Sequence, residues 1–126
     1  MSSGRDLEEL LANLSVRRHE GVWEFLSGTQ RNVDGAIMQF REREGWTHIL
    51  PATRSVAPER RFVWLELAVN SDLNAVGFLA AVSTALALAD VPCNAIAAFH
   101  HDHIFVPESK ADAAIEALEK LAHGTA

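Results

Sequence analysis

The alternation of apolar and polar positions predicts short β-strands, with little helix, in the first half of the chain. The segment "GVWEFL" (21–26) alternates clearly, and strands are also predicted at residues 36–42 and 45–51, the last of which ends in proline. Before them, the leucines of "DLEELLANL" (6–14) fall on one face of a short helix. The segment that joins this helix to the first strand, "SVRRHEG" (15–21), is polar and is predicted to be a connection.

The second half of the chain predicts the order strand, helix, strand, strand, helix. Residues 61–69 are rich in β-branched and aromatic side chains, which favours a strand. Residues 74–89 are apolar on nearly every helical face, so this helix is expected to be buried on more than one side. Strands over residues 90–99 and 103–106, joined by a tight turn, precede a last helix over residues 109–122, for which Ser109 and Asp112 would form a capping box.

This order lacks one strand of a complete βαββαβ unit. The missing strand would follow Ala122, and it must come either from the first half of the chain or from a second chain. No linker rich in glycine and serine separates the two halves. We therefore expect an N-terminal half (1–60) and a C-terminal half (61–126) that pack as one globular unit.

Composition narrows the class of protein. The 126 residues include 17 acidic and 11 basic side chains, and the resulting net charge of −6 argues against nucleic acid as a general partner. The longest apolar stretch (75–89) is interrupted by Gly77, Ser83 and Thr84 and is too short to span a bilayer. A single cysteine, Cys93, excludes an internal disulfide, and the N-terminus lacks the apolar run of a signal peptide. We expect a cytoplasmic protein with no membrane partner.

The segment "NSDLNAVG" (70–77), between a strand and the buried helix, is a candidate ligand-binding loop. A helix N-terminus presents unpaired N–H groups that suit a carboxylate, and Gly77 allows a ligand to approach the backbone closely. The candidate residues are Asn70, Ser71, Asp72, Leu73, Asn74, Ala75, Val76 and Gly77. The alternative is structural, with Ser71 or Asp72 capping the helix and Gly77 packing against the sheet.

The segment "FHHDHIFVP" (99–107) contains three of the six histidines. On a strand, His101 and His103 share one face and could bind a metal if a third ligand came from elsewhere. The candidates for a third ligand are His19, Glu24, His48 and Cys93. The favoured interpretation is a polar turn between two strands, in which Asp102 accepts backbone N–H bonds. Neither a metal nor another cofactor is expected.

Three parts of the sequence resemble a bacterial family of small ACT-domain proteins. They are "FREREGWTHILP" (40–51), the long segment from "VNSDLNAVG" to "HHDHIFVP" (69–107), and the final helix. The resemblance implies an α+β, ferredoxin-like ACT fold (βαββαβ) with two tandem ACT-like units that share or exchange strands. Residues 1–60 would then be a degenerate ACT-like half and residues 61–126 the C-terminal ACT domain. Asp90 stands where the family's helix usually ends in glycine, and we expect it to adopt the left-handed conformation.

The resemblance also implies a function. ACT modules commonly sense amino acids as regulatory parts of biosynthetic enzymes, and they often form dimers. We therefore expect a non-catalytic, amino-acid-binding or regulatory homodimer. Because such modules use this loop and the next strand, Cys93 and Asn94 join the candidate ligand-binding residues. The alternatives are a ligand-free dimerisation or interaction module, and a metal-dependent enzyme that uses His101 and His103.

Overall fold

The computed structural model describes residues 6–124, in which three helices cover one face of a seven-stranded sheet. The strands are β1 (Val16–Arg18), β2 (Trp23–Gly28), β3 (Met38–Arg41), β4 (Trp46–Pro51), β5 (Phe62–Leu67), β6 (Asn94–Ala97) and β7 (Asp102–Pro107). The helices are α1 (Leu7–Ala12), α2 (Phe78–Leu88) and α3 (Ala111–Ala122), with 3₁₀ turns at Pro58–Arg60 and Glu108–Lys110. Residues 1–5, on which the interpretation of the N-terminus partly rests, and residues 125–126 lie outside the described part.

The sheet is antiparallel and shares strands between the two halves of the chain. Its order is β3-β4-β2-β5-β7-β6, and β1 pairs with β5 beside β2. Strand β1 pairs with β5 from Val16↔Leu67 onward, whereas β2 meets β5 at Trp23↔Phe62. The C-terminal unit β5-α2-β6-β7-α3 therefore obtains its missing strand from the first half, one of the two predicted sources.

A single hydrophobic core lies between the sheet and the helices. Alternate residues of β5, namely Val63, Leu65 and Leu67, are fully buried beneath α2 and α3. Leu10 and Leu14, from the N-terminal segment, belong to the same core. The first eighteen residues thus contribute both a helix and a strand to the C-terminal unit, which ties the two halves together. Between β2 and β3 the chain is irregular where an ACT unit would carry a helix.

The other face of the sheet carries an aromatic layer. Trp64 packs edge-on against Trp23, with ring centroids 5.1 Å apart, and it stacks near Phe105 at 5.9 Å. Phe25 contacts both Phe62 and Phe105. Strand alternation separates this layer from the aliphatic core, because neighbouring residues of β5 and β7 point to opposite faces.

Three local predictions were wrong. The polar segment 15–21 contains β1, which forms because the edge of β5 supplies backbone partners regardless of the exposed arginines. Helix α2 begins at Phe78 rather than residue 74, because Gly77 has a left-handed backbone (φ 96°). The predicted capping box of α3 does not form, since a 3₁₀ turn precedes Ala111 and no side chain caps the helix. By contrast, Asp90 has φ 60°, as expected.

Candidate functional site

A small cavity lies where the loop before α2 meets the end of β6 and the start of β7. Its volume is about 140 Å³. Its lining residues are Ser71, Asp72, Leu73, Ala75, Gly77, Phe78, Leu79, Ala80, Ala97, Ala98 and Asp102. The cavity is on the helical side of the sheet, since Asp102 pairs with the core residue Leu67 across β5 and β7.

Asp102 places a carboxylate in the wall of this cavity. The residue is only 6% exposed, and Ser71 Oγ donates a hydrogen bond to Asp102 Oδ2 at 3.0 Å. Burial raises the pKa of the Asp102 carboxyl, and the hydrogen bond from Ser71 and the charges of His103 and His101 oppose that rise. A carboxylate held in this setting is a strong partner for a cation, because a cationic donor would compensate its lost hydration.

The N-terminus of α2 forms another part of the wall. Gly77 occupies the N-cap position, where it has no side chain to accept the free N–H groups of the first turn, and no other side chain caps the helix. Gly77, Phe78, Leu79 and Ala80 all line the cavity. The positive end of an eleven-residue helix therefore faces the same small space as the Asp102 carboxylate.

The fold brings five of the eight predicted loop residues to the cavity: Ser71, Asp72, Leu73, Ala75 and Gly77. The remaining three belong to the loop but do not line it, and Val76 is 84% exposed. Neither Ser71 nor Asp72 caps α2, so the capping alternative is wrong. Ser71 bonds to Asp102 instead, and Asp72 Oδ1 accepts the backbone N–H of Asn74 at 2.7 Å. That bond closes a turn within the loop.

The fold does not bring Cys93 and Asn94 to the cavity. Strand β6 reaches it through Ala97 and Ala98, and Asn94 lies about 10 Å away along the strand at roughly 3.3 Å per residue. Asn94 pairs with Phe105, on the aromatic face, and its Nδ2 donates to the Phe105 carbonyl at 3.2 Å. Cys93 packs against the hydrophobic core, where burial raises the pKa of its thiol.

The histidines lie on the face of the sheet opposite the cavity, around Glu66. His19 Nε2 is 2.9 Å from one Glu66 carboxylate oxygen, and His101 Nδ1 is 3.9 Å from the other. Trp64 Nε1 donates to His103 Nδ1 at 2.9 Å, and burial lowers the pKa of His103. Within residues 6–124 no three His, Cys, Asp or Glu side chains are placed to hold one metal ion. This arrangement gives no support to a metal-dependent enzyme based on His101 and His103.

Residues 98–101 do form the predicted connection between two antiparallel strands, with the Ala98 N–H donating to the His101 carbonyl at 3.1 Å. The role predicted for Asp102 in that turn was wrong, because Asp102 is the first residue of β7 and its carboxylate turns inward to Ser71. The sequence carried one signal for this. In an extended "HDH" the aspartate must face away from its two neighbours, so a functional Asp102 cannot share their site.

A ferredoxin-like α+β protein with a charged cavity at a strand–helix loop is the class that the fold and site define. Comparison with known families assigns it further. ACT-domain models match residues 2–61 and residues 59–120. The chain belongs to the ACT-domain family and contains two such units in tandem. ACT domains are regulatory modules, which supports a regulatory, ligand-binding role.

Two solved structures are similar to this chain. A crystal structure of a protein of unknown function from Vibrio cholerae, described as a possible transport protein, is 36% identical, with a TM-score of 0.76 over 87% of this chain and 91% of that chain. A crystal structure from Agrobacterium tumefaciens, 12% identical, has a TM-score of 0.65 over 86% of this chain and 89% of that one, and shows the fold alone. No curated protein matches significantly. Within residues 6–124, none of the helices has the length and apolar character needed to cross a membrane.

Proposed function

We propose that this chain is a non-catalytic regulatory protein that binds a free α-amino acid in the cavity between the loop 70–77 and the start of β7. The ammonium group would bind the Asp102 carboxylate beside Ser71. The carboxylate of the ligand would accept the backbone N–H groups at the start of α2. Each group of the ligand meets a protein group of opposite charge, and both contacts are charge-assisted hydrogen bonds.

The observation that carries this proposal is the pairing of opposite charges in one small cavity. A buried aspartate alone would suit any cation, and a helix N-terminus alone would suit any anion. The cavity presents the Asp102 carboxylate and the uncapped start of α2 together. A zwitterion satisfies both walls at once. Asp72 does not disturb this arrangement through its Oδ1, which is occupied by the N–H of Asn74.

A thermal-shift screen of the twenty amino acids tests the proposal. A ligand that binds the folded state stabilises it by about 2.7 kcal/mol at a hundredfold excess over Kd. We expect at least one amino acid to raise the melting temperature of the wild-type protein and to lose that effect in Asp102→Asn. Asp34→Asn is the matched control, because Asp34 is exposed and lies outside the cavity. No shift with any amino acid at millimolar concentration would contradict the proposal.

The second candidate is an interaction module, and the edge of the sheet favours it. Strand β6 forms one end of the sheet, and its four residues, "NAIA", include no charge that would hinder pairing with another chain. We propose that two copies pair along β6 to form a homodimer. Light scattering should show a dimer for the wild type and a monomer for Ala95→Lys. If the protein is a dimer but no amino acid shifts its melting temperature, the interaction role stands alone.

A further inference from the structure

The proposed site is small, and its size restricts the ligand. We infer that the cavity selects amino acids with the smallest side chains, namely glycine, alanine and serine, and excludes those with long or branched side chains. This inference rests on the proposed function, since it concerns which amino acid the same cavity accepts.

The volume sets the first limit. About 140 Å³ equals the space of roughly four or five water molecules at about 30 Å³ each. Glycine and alanine have about that number of non-hydrogen atoms. The ammonium, the α-carbon and the carboxylate of any amino acid therefore fill most of the cavity, and little room is left for a side chain.

The walls set the second limit, because they cannot move aside. Much of the lining consists of residues with a methyl group or no side chain: Ala75, Gly77, Ala80, Ala97 and Ala98. The position of a Cβ atom follows from the backbone, so such a wall has no rotamer by which it could open. Phe78, a further part of the wall, is only 2% exposed and packs in the hydrophobic core. Close-packed cores resist displacement of this kind.

Gly77 shows that the loop itself is constrained. Its φ of 96° is one that residues with a side chain rarely adopt, and an added Cβ would lie 3.4 Å from Leu7 Cδ2. The turn into α2 is thus fixed both by its own backbone and by contact with α1. A larger ligand cannot gain room by a simple shift of this turn.

Isothermal titration calorimetry tests the inference on the whole protein. Glycine, alanine and serine should bind at least tenfold more tightly than leucine, glutamate and arginine. In Ala97→Val, two methyl groups are added to the cavity wall, and alanine should lose at least tenfold in affinity while glycine loses less. Ala95→Val is the matched control, because Ala95 lies on the same strand and the same face but outside the cavity, and it should bind like the wild type.

The outcomes separate the two proposals. If leucine or arginine binds as tightly as glycine, the size inference is wrong and amino-acid binding stands. If Ala97→Val binds alanine as well as Ala95→Val does, the inference is also wrong. If no amino acid binds the wild type, the proposed function fails and the inference fails with it. The comparison of six ligands on the wild-type protein decides the matter even if Ala97→Val does not fold.

Discussion

Ser71 Oγ donates a hydrogen bond to Asp102 Oδ2 across 3.0 Å, although the two residues are 31 positions apart in the chain. The bond joins the loop before α2 to the first residue of β7. It holds the carboxylate at the cavity while leaving the helix N-terminus without a side-chain cap. Two features that are each ordinary in a folded protein thereby become one site with a positive and a negative wall.

Replacing Asp102 with asparagine should change how the stability depends on pH. The pKa of the Asp102 carboxyl is raised in the folded state, mainly by burial. Its contribution to stability is therefore present below the unfolded pKa of about 3.9 and is lost as the pH rises through the folded value. Urea unfolding between about pH 4 and pH 7 should show Asp102→Asn gaining stability relative to the wild type as the pH rises. Parallel curves for the two proteins would contradict the assignment.

Glu66 should show the opposite sign. The hydrogen bond from His19 is the largest cause of the lowered pKa of Glu66. Stability from this group is present above the unfolded pKa of about 4.3 and is lost as the pH falls through the folded value. Glu66→Gln should cost about 1–2 kcal/mol in urea unfolding at neutral pH. Glu116→Gln, which removes an exposed pair with Lys120, should cost about 0.5 kcal/mol or less. Equal effects of the two changes would count against the Glu66 network.

The tautomer of His103 is a third prediction. Since Trp64 Nε1 donates to His103 Nδ1, the neutral ring is favoured, and this bond adds to the effect of burial. Trp64→Phe removes the donor and should raise the pKa of His103, measured by NMR titration of its ring protons. Trp23→Phe is the control, because within residues 6–124 Trp23 Nε1 has no hydrogen-bond partner. An unchanged His103 pKa in Trp64→Phe would show that the bond does not govern the tautomer.

The N-terminal helix should be essential to the C-terminal unit. Leu10 is 3% exposed within the shared core, so Leu10→Ala should destabilise the protein by about 2–5 kcal/mol in denaturant unfolding. Leu88→Ala makes the same change at a residue that is 85% exposed, and it should cost about 0.5 kcal/mol or less. A small effect of Leu10→Ala would mean that the first residues are not part of a common core.

Most of the secondary structure could be predicted from the sequence because its pattern is local. Residues 61–69 and 109–122 carry the periods of a strand and a helix, and both elements are present over most of those ranges. Strand β1 could not be predicted in this way. Its polar sequence has no strand pattern, and its conformation depends on the unpaired edge of β5, which is distant in the chain.

The candidate site was predicted in part for the same reason. The loop 70–77 follows from the junction of a strand and a helix, which is a local feature. The burial of Asp102 depends on a loop that folds against it from far away in sequence, so the residue was interpreted as a turn aspartate. The start of α2 was placed too early because the apolar pattern continues through Gly77, whose left-handed backbone is a property of the folded turn.

An NMR titration of the ¹⁵N-labelled protein with glycine and alanine tests the central claim most directly, because it locates the ligand. We predict saturable shifts concentrated in the backbone amides of Ser71, Gly77, Phe78 and Asp102, and their loss in Asp102→Asn. No shifts at millimolar ligand, or shifts centred on His19 and the opposite face of the sheet, would contradict the account.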